Sequence, residues 1–245
     1  MQFDFSIIVP AYNEEKLIGG LLSELLKYKG QFNFEIIISD GGSYDGTLDI
    51  LKDFDVKVVN NLTGNRQTIG EGRNLGAEQS NGKVLVFINA DTMPKITEVF
   101  LSKITDFGNG KIYSKSRAIA GKVEPFPEDK GFKDLCFYAF FNSYFKLLNV
   151  IGLGMGRGEC QILYKESFYK VGGYNPHIAA GEDFDLFRRI AKTEKVSFAD
   201  DIIVLESPRR FRQKGYFNTI LKWFLNGISV MFTGKSYSKE WELVR

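Results

Sequence analysis

Three almost unbroken apolar runs, SIIV at 6–9, EIIIS at 35–39 and VLVFI at 84–88, constrain this chain more than any other feature. A strand that is apolar at nearly every position, instead of every second one, has both faces covered, as in a parallel sheet between two layers of helices. Four β-rich segments, 5–9, 34–39, 56–60 and 84–89, alternate with helical patterns across the first ninety residues, which gives a βαβαβαβ order. In the first helix Leu17, Ile18, Leu21, Leu22, Leu25 and Leu26 recur at helical spacing behind Asn13, a residue type suited to the N-cap. The expected fold class is therefore α/β, with a mostly parallel, doubly wound, Rossmann-like sheet.

Beyond Asp91 the alternation ends. The pattern reads as a helix over 97–107, a strand over 118–123, a turn broken by Pro125 and Pro127, and an aromatic-rich helix over 131–151. The loop GLGMGRG, a strand over 160–164, a helix over 182–193, a strand-like segment over 202–206 and a terminal helix from Tyr216 complete the chain. No internal repeat or low-complexity linker divides it, so the second half is expected to complete the same domain.

In doubly wound sheets ligands bind beyond the carboxyl ends of the strands. Here those ends carry Pro10-Ala11-Tyr12-Asn13-Glu14, Asp40-Gly41-Gly42-Ser43-Tyr44-Asp45 and Asn89-Ala90-Asp91. Each group taken singly is explained by caps and turns. Several acids crowded on one rim repel each other unless a cation or hydrogen-bond donors are present. A hard cation such as Mg2+ or Mn2+, held by few carboxylates and completed by phosphate oxygens, satisfies that condition and points to a nucleoside diphosphate. A second acidic group, Gly181-Glu182-Asp183-Phe184-Asp185, opens a helix, where the macrodipole by itself favours carboxylates.

The segments SIIVPAYNEE, IIISDGGSYDGT, GRNLGAEQSNGKVLVFINADTMP and GGYNPHIAAGEDFDLFRR together resemble glycosyltransferase family 2, in order and spacing, from Ser6 to about Glu206. The resemblance implies the GT-A fold with a C-terminal helical extension. Residues 1–215 would form the catalytic domain, with 1–95 its nucleotide-binding half and 96–215 its acceptor side, and 216–245 a terminal helix and tail. It implies a metal-dependent, inverting transfer of a sugar from a UDP- or GDP-sugar to a glycan or lipid-linked acceptor. Pro10, Ala11, Tyr12, Asn13 and Glu14 would line the nucleotide pocket, Asp40 with Gly41 would meet the base, and Arg73 would help close it. Asn89-Ala90-Asp91 stands at the DXD position, with Asp91 the metal ligand; Glu182-Asp183 matches the ED motif, whose Asp183 deprotonates the acceptor. The sequence departs from DXD at Asn89, an amide that can still hydrogen-bond hydroxyls. That departure leaves a catalytically inactive nucleotide-sugar-binding module as the alternative.

Other features weigh less. Gly70, Gly72 and Gly76 give a G-x-G-x-x-x-G pattern, but a dinucleotide fingerprint follows the first strand directly, and these precede the fourth. A nucleotidyltransferase would need a phosphate loop where Pro10–Glu14 stands. The net charge of +2 gives no reason to expect a nucleic-acid partner. Arg209 and Arg210 read either as a solvated turn, or as holders of a diphosphate or of anionic lipid head groups. The aromatic stretch of 137–154 and the terminal helix read either as core or as an apolar acceptor site resting on a bilayer. His177, the one histidine, reads as a loop residue, and Cys136 and Cys160 as buried free thiols in a reducing compartment. The resulting expectation is a cytoplasmic protein, peripheral on the membrane if those helices touch lipid.

Overall fold

A computed structural model describes residues 3–61 and 67–238. Eight strands form one sheet: β1 (Phe5–Ala11), β2 (Phe34–Asp40), β3 (Lys57–Asn60), β4 (Val84–Phe87), β5 (Met93–Pro94), β6 (Ala118–Pro125), β7 (Gln161–Tyr164) and β8 (Val196–Glu206). Their order across the sheet is β3-β2-β1-β4-β7-β6-β8-β5. The β3-β2-β1-β4 portion is parallel throughout, as the apolar runs require. Ile7, Ile8 and Val9 of β1 and Ile37 and Ile38 of β2 are all fully buried. β7 reverses direction against both β4 and β6, whereas β6 and β8 run parallel.

Nine helices among the described residues cover the sheet. α1 (Ile18–Leu26) buries Ile18, Leu21, Leu22 and Leu25. At about 1.5–3 kcal/mol for each fully buried aliphatic side chain, that stripe is enough to dock the helix. Its N-terminus differs from the expectation. Asn13 is not the cap; it adopts a left-handed backbone (φ 55°), and its Oδ1 accepts the N–H of Tyr44 at 2.8 Å. The amide is spent on tying the loop after β1 to the loop after β2. α2 (Thr47–Leu51) follows that second loop, and α3 (Ile69–Glu78) starts in a capping box between Thr68 and Glu71. The glycine pattern of α3 serves packing: a Cβ on Gly76 would stand 2.4 Å from Cγ2 of Ile8, so only glycine lets the helix lie this close to β1.

The second half adds α4 (Thr97–Gly108), α5 (Phe132–Val150), α6 (Lys165–Lys170), α7 (Glu182–Ala191), α8 (Arg209–Lys214) and α9 (Tyr216–Thr233). β8 begins at Val196, well before the expected 202. The β6–β8 register jumps between Gly121 and Lys122, and Asp200 and Asp201 project outward at the irregularity. The bulge breaks the apolar alternation by which the strand would have been read. No helix of the described residues is long and apolar enough to cross a membrane. Cys160 is buried, and burial pushes its thiol up to about 12, but Cys136 is exposed on α5, contrary to expectation. His177 is an exposed loop residue whose N–H donates to Asn175.

Candidate active site

The carboxyl ends of β1, β2 and β4 open onto one cleft of about 1110 Å3. Pro10, Ala11, Tyr12, Asn13 and Glu14 line it after β1, and Gly41 after β2. Asn89, Ala90 and Asp91 line it after β4, as do Glu182 and Asp183 at the start of α7 and Arg209 and Arg210 at the start of α8. Residues from distant parts of the chain thus share one cavity. Asp40 lies one layer behind the wall: it is 1% exposed, and its Oδ2 accepts the N–H groups of Gly42 and Ser43, both at 2.9 Å. Its Oδ1 has no partner among the described residues.

Arg73 ties the walls of the cleft together. Its guanidinium, 1% exposed, donates to Glu182 Oε1 at 2.9 Å, to Asn89 Oδ1 at 3.0 Å and to the Gly158 carbonyl at 2.9 Å. It therefore pins three segments around the cleft at one point. A Cβ on Gly158 would stand 2.5 Å from Arg73 Nη2, which explains a glycine there. Asn89 accordingly gives its oxygen to Arg73, where an acid at the same position would add a second negative charge beside Glu182.

Asp183 is held from three sides. Its Oδ2 accepts the Gly158 N–H at 2.9 Å, its Oδ1 accepts the Phe184 N–H at 2.8 Å, and its own carbonyl accepts Gln161 Nε2 at 3.1 Å. Loss of bulk water raises its carboxyl above the ordinary value; Arg73 pulls it back, and Glu159 pushes it up again. Burial and the neighbouring Asp183 also raise Glu182, to about 7, against the pull of Arg73. Asp185, the third acid, is structural: it pairs with Arg189 at 2.7 Å, one helical turn on.

Asp91 reaches solvent through the cleft but is enclosed by its walls. That enclosure raises its carboxyl, Glu159 adds to the rise, and Arg210 and Arg209 oppose it. Among the described residues no three His, Cys, Asp or Glu side chains group so as to hold a metal ion on their own. The donor set still fits a hard cation that takes most of its ligands from a diphosphate, since Mg2+ sites need one or two carboxylates and complete their shell with phosphate oxygens and water.

Sequence reasoning missed the floor of the cleft. Arg157, buried in the glycine-rich loop, donates from Nε and Nη2 to Glu159, both at 3.1 Å, and pairs with Glu206 at the end of β8. Its guanidinium lies 5.4 Å from the ring centroid of Trp223 and 5.7 Å from that of Tyr138. One cation thus faces two carboxylates. Burial would raise Glu159, but Arg157 holds it below its ordinary value; burial pushes Glu206 up to about 8 even against Arg157. The glycine density of GLGMGRGE was the available signal, and it reads as a loop until the reversal of β7 brings Glu159 to the rim.

A family model described as glycosyl transferase family 2 matches residues 6–171. The chain is 36% identical over 91 residues to an uncharacterized glycosyltransferase, YfnE of Bacillus subtilis; the match covers 36% of this chain and 23% of YfnE, so the chain spans about a quarter of that relative. Mannosyltransferase PcManGT from Pyrobaculum calidifontis, in complex with GDP-Man and Mn2+, superposes with a TM-score of 0.72 at 16% identity, over 96% of this chain and 66% of that one. TarS 1-349 of Staphylococcus aureus, in complex with UDP-GlcNAc, superposes with a TM-score of 0.64 at 22% identity, over 95% of this chain and 73% of that one.

Proposed function

The chain belongs to glycosyl transferase family 2 and has the GT-A fold, and from that premise we propose that it transfers a sugar from a nucleoside-diphosphate sugar to an acceptor oxygen with inversion. The observation that carries this reading is the single cleft lined both by Asp91 after β4 and by Asp183 at the head of α7. Two structurally similar proteins are described in complex with GDP-Man and with UDP-GlcNAc, which supports a GDP- or UDP-sugar donor for this chain.

In the proposed reaction the acceptor oxygen forms a bond to the anomeric carbon while the bond from that carbon to the phosphate oxygen breaks. The electron pair leaves with the nucleoside diphosphate, and the acceptor proton passes to Asp183. The two backbone N–H groups on Asp183 fix its carboxylate, and its raised pKa makes it a stronger base than an exposed aspartate. Asp91 would hold a divalent metal with the diphosphate oxygens. When bound, that ion neutralises charge on the leaving group. Arg209 and Arg210, on the same cleft and electrostatically coupled to Asp91, would add positive charge there. The residues after β1 and β2 would hold the nucleoside.

A thermal-shift panel of UDP-, GDP- and dTDP-linked sugars, each with and without Mn2+, tests the reading, because a ligand that binds only the folded state raises its apparent stability. We expect one donor class to raise the Tm, and Mn2+ to enlarge the shift. No shift with any donor would remove the reading, and a product that keeps the donor's anomeric configuration would remove inversion.

A further inference from the structure

The cleft is larger than the donor site needs, and its two arms differ in chemistry. Pockets for one small ligand run to about 300–1000 Å3, and this one reaches about 1110 Å3. The acids and arginines described above line one arm. The other arm runs between α5 and α9 and is walled by apolar side chains.

On α9 Ile220, Trp223, Phe224, Gly227, Ile228 and Met231, the i, i+3, i+4, i+7, i+8, i+11 face of one helix, line this arm, together with Asn226, whose amide is hydrogen-bonded to Lys222 and Ser238. On α5 the lining residues are Phe140, Phe141, Tyr144, Phe145 and Leu148, again one face. A stripe of that kind normally packs on protein. Here part of it stays open: Phe140 and Phe224 are each 60% exposed, and Tyr144, Ile228 and Met231 remain exposed too. Leaving large apolar side chains in water forgoes about 25 cal/mol for each Å2 left uncovered, so the walls favour an apolar occupant. The two helices meet through Trp223 and Phe141, with ring centroids 5.1 Å apart, and Trp223 lies over Arg157 on the polar floor. The apolar arm is therefore continuous with the chemistry, since Phe184, next to Asp183, also lines the cavity.

From this continuity we infer that the α5–α9 groove is the acceptor subsite and that it takes a lipid acceptor, a hydrocarbon chain lying along the two helices with its nucleophilic oxygen at the Asp183 end. The assignment rests on the glycosyltransferase reading for its chemistry, but the chain-binding groove is testable without turnover. A free sugar acceptor would find few hydrogen-bonding partners along these walls. Gly227 has a specific place in the groove: it faces the cavity, and a Cβ built on it meets nothing within 4 Å. A large side chain there would enter the groove instead of the core.

Trp223 reports occupancy directly. Trp241→Phe removes the chain's other tryptophan and leaves Trp223 as the sole emitter. In that background, dodecanol brominated on its chain and the corresponding dodecyl phosphate, both below their micelle concentrations, are expected to quench Trp223 saturably, while brominated butanol is not. Adding Gly227→Phe or, on the exposed wall, Phe224→Glu is expected to raise the half-saturating concentration at least tenfold; each variant is first checked for a cooperative thermal transition. Quenching that stays linear with concentration, or that saturates identically in both variants, overturns the subsite. Donor thermal shifts on the wild-type chain are read separately. A donor shift without saturable quenching sinks only the lipid subsite, and saturable quenching without any donor shift sinks only the transferase reading.

Discussion

Replacing Arg73 by methionine tests whether one buried guanidinium organises the cleft. The substitution removes the 2.9 Å pair with Glu182 and two further hydrogen bonds, to Asn89 and to the Gly158 carbonyl. It keeps an apolar stem but leaves Glu182, only 7% exposed, without its cation. Breaking a buried pair from one side costs about 3–5 kcal/mol, which for a chain of this length lowers the Tm by about 6–20 °C. The loss has a direction in pH. Glu182 already titrates high, at about 7, and without Arg73 it titrates higher still. A carboxyl whose folded pKa exceeds its unfolded value contributes stability at low pH and loses it as pH rises through the folded pKa. The Arg73→Met penalty should therefore be smaller at pH 6 than at pH 8.5. In the double variant Arg73→Met/Glu182→Gln, the buried charge is gone and at least half of the penalty should return. Urea denaturation at both pH values, run as a double-mutant cycle, measures this. A penalty under about 1 kcal/mol, or one that neither pH nor Glu182→Gln reduces, would refute the keystone role of Arg73.

Three further outcomes follow from the same geometry. Asp183→Asn should retain donor binding and lose transfer by about 10²–10⁴-fold, and the wild-type acid limb of kcat should lie above the ordinary aspartate range; steady-state rates across pH check both, and near-wild-type transfer would remove the base. Asp91→Ala should abolish the Mn2+ dependence of donor affinity, read by calorimetry with and without the ion; an unchanged dependence would place the metal elsewhere. Gly76→Ala should destabilise by about 1–3 kcal/mol, because the new Cβ meets Ile8 at 2.4 Å; a loss under about 0.5 kcal/mol in denaturant would mean that α3 shifts freely on β1.

How far the sequence could be read depended on whether the signal was local. β1, β2 and β4 were legible because strands buried on both faces write their environment into consecutive residues. The first six residues of β8 were not, since the bulge puts Asp200 and Asp201 in the middle of the strand. Asn13 looked like a cap because caps are common where an asparagine precedes an apolar helix; its actual partner, Tyr44, lies in another loop. Asp91 and Asp183 stood out through their motifs, and both line the one cleft. Arg157, Glu159 and Glu206 escaped because the first two sit in a loop that reads as a turn and their partner Glu206 lies at the end of a strand far along the chain. The aromatic helices could be read as core or as ligand surface, and only their packing separates the face that meets protein from the face that meets the cavity.

The reversal of β7 also decides where this protein can tolerate novelty. Because that strand starts beside the cleft at Gln161 and ends at Tyr164, it hands the chain to α6 at the opposite end of the strands. Insertions, tags or new partner surfaces added around Glu166 would grow away from the reacting groups, while a single added residue before Gln161 would move Glu159 and Gly158 together.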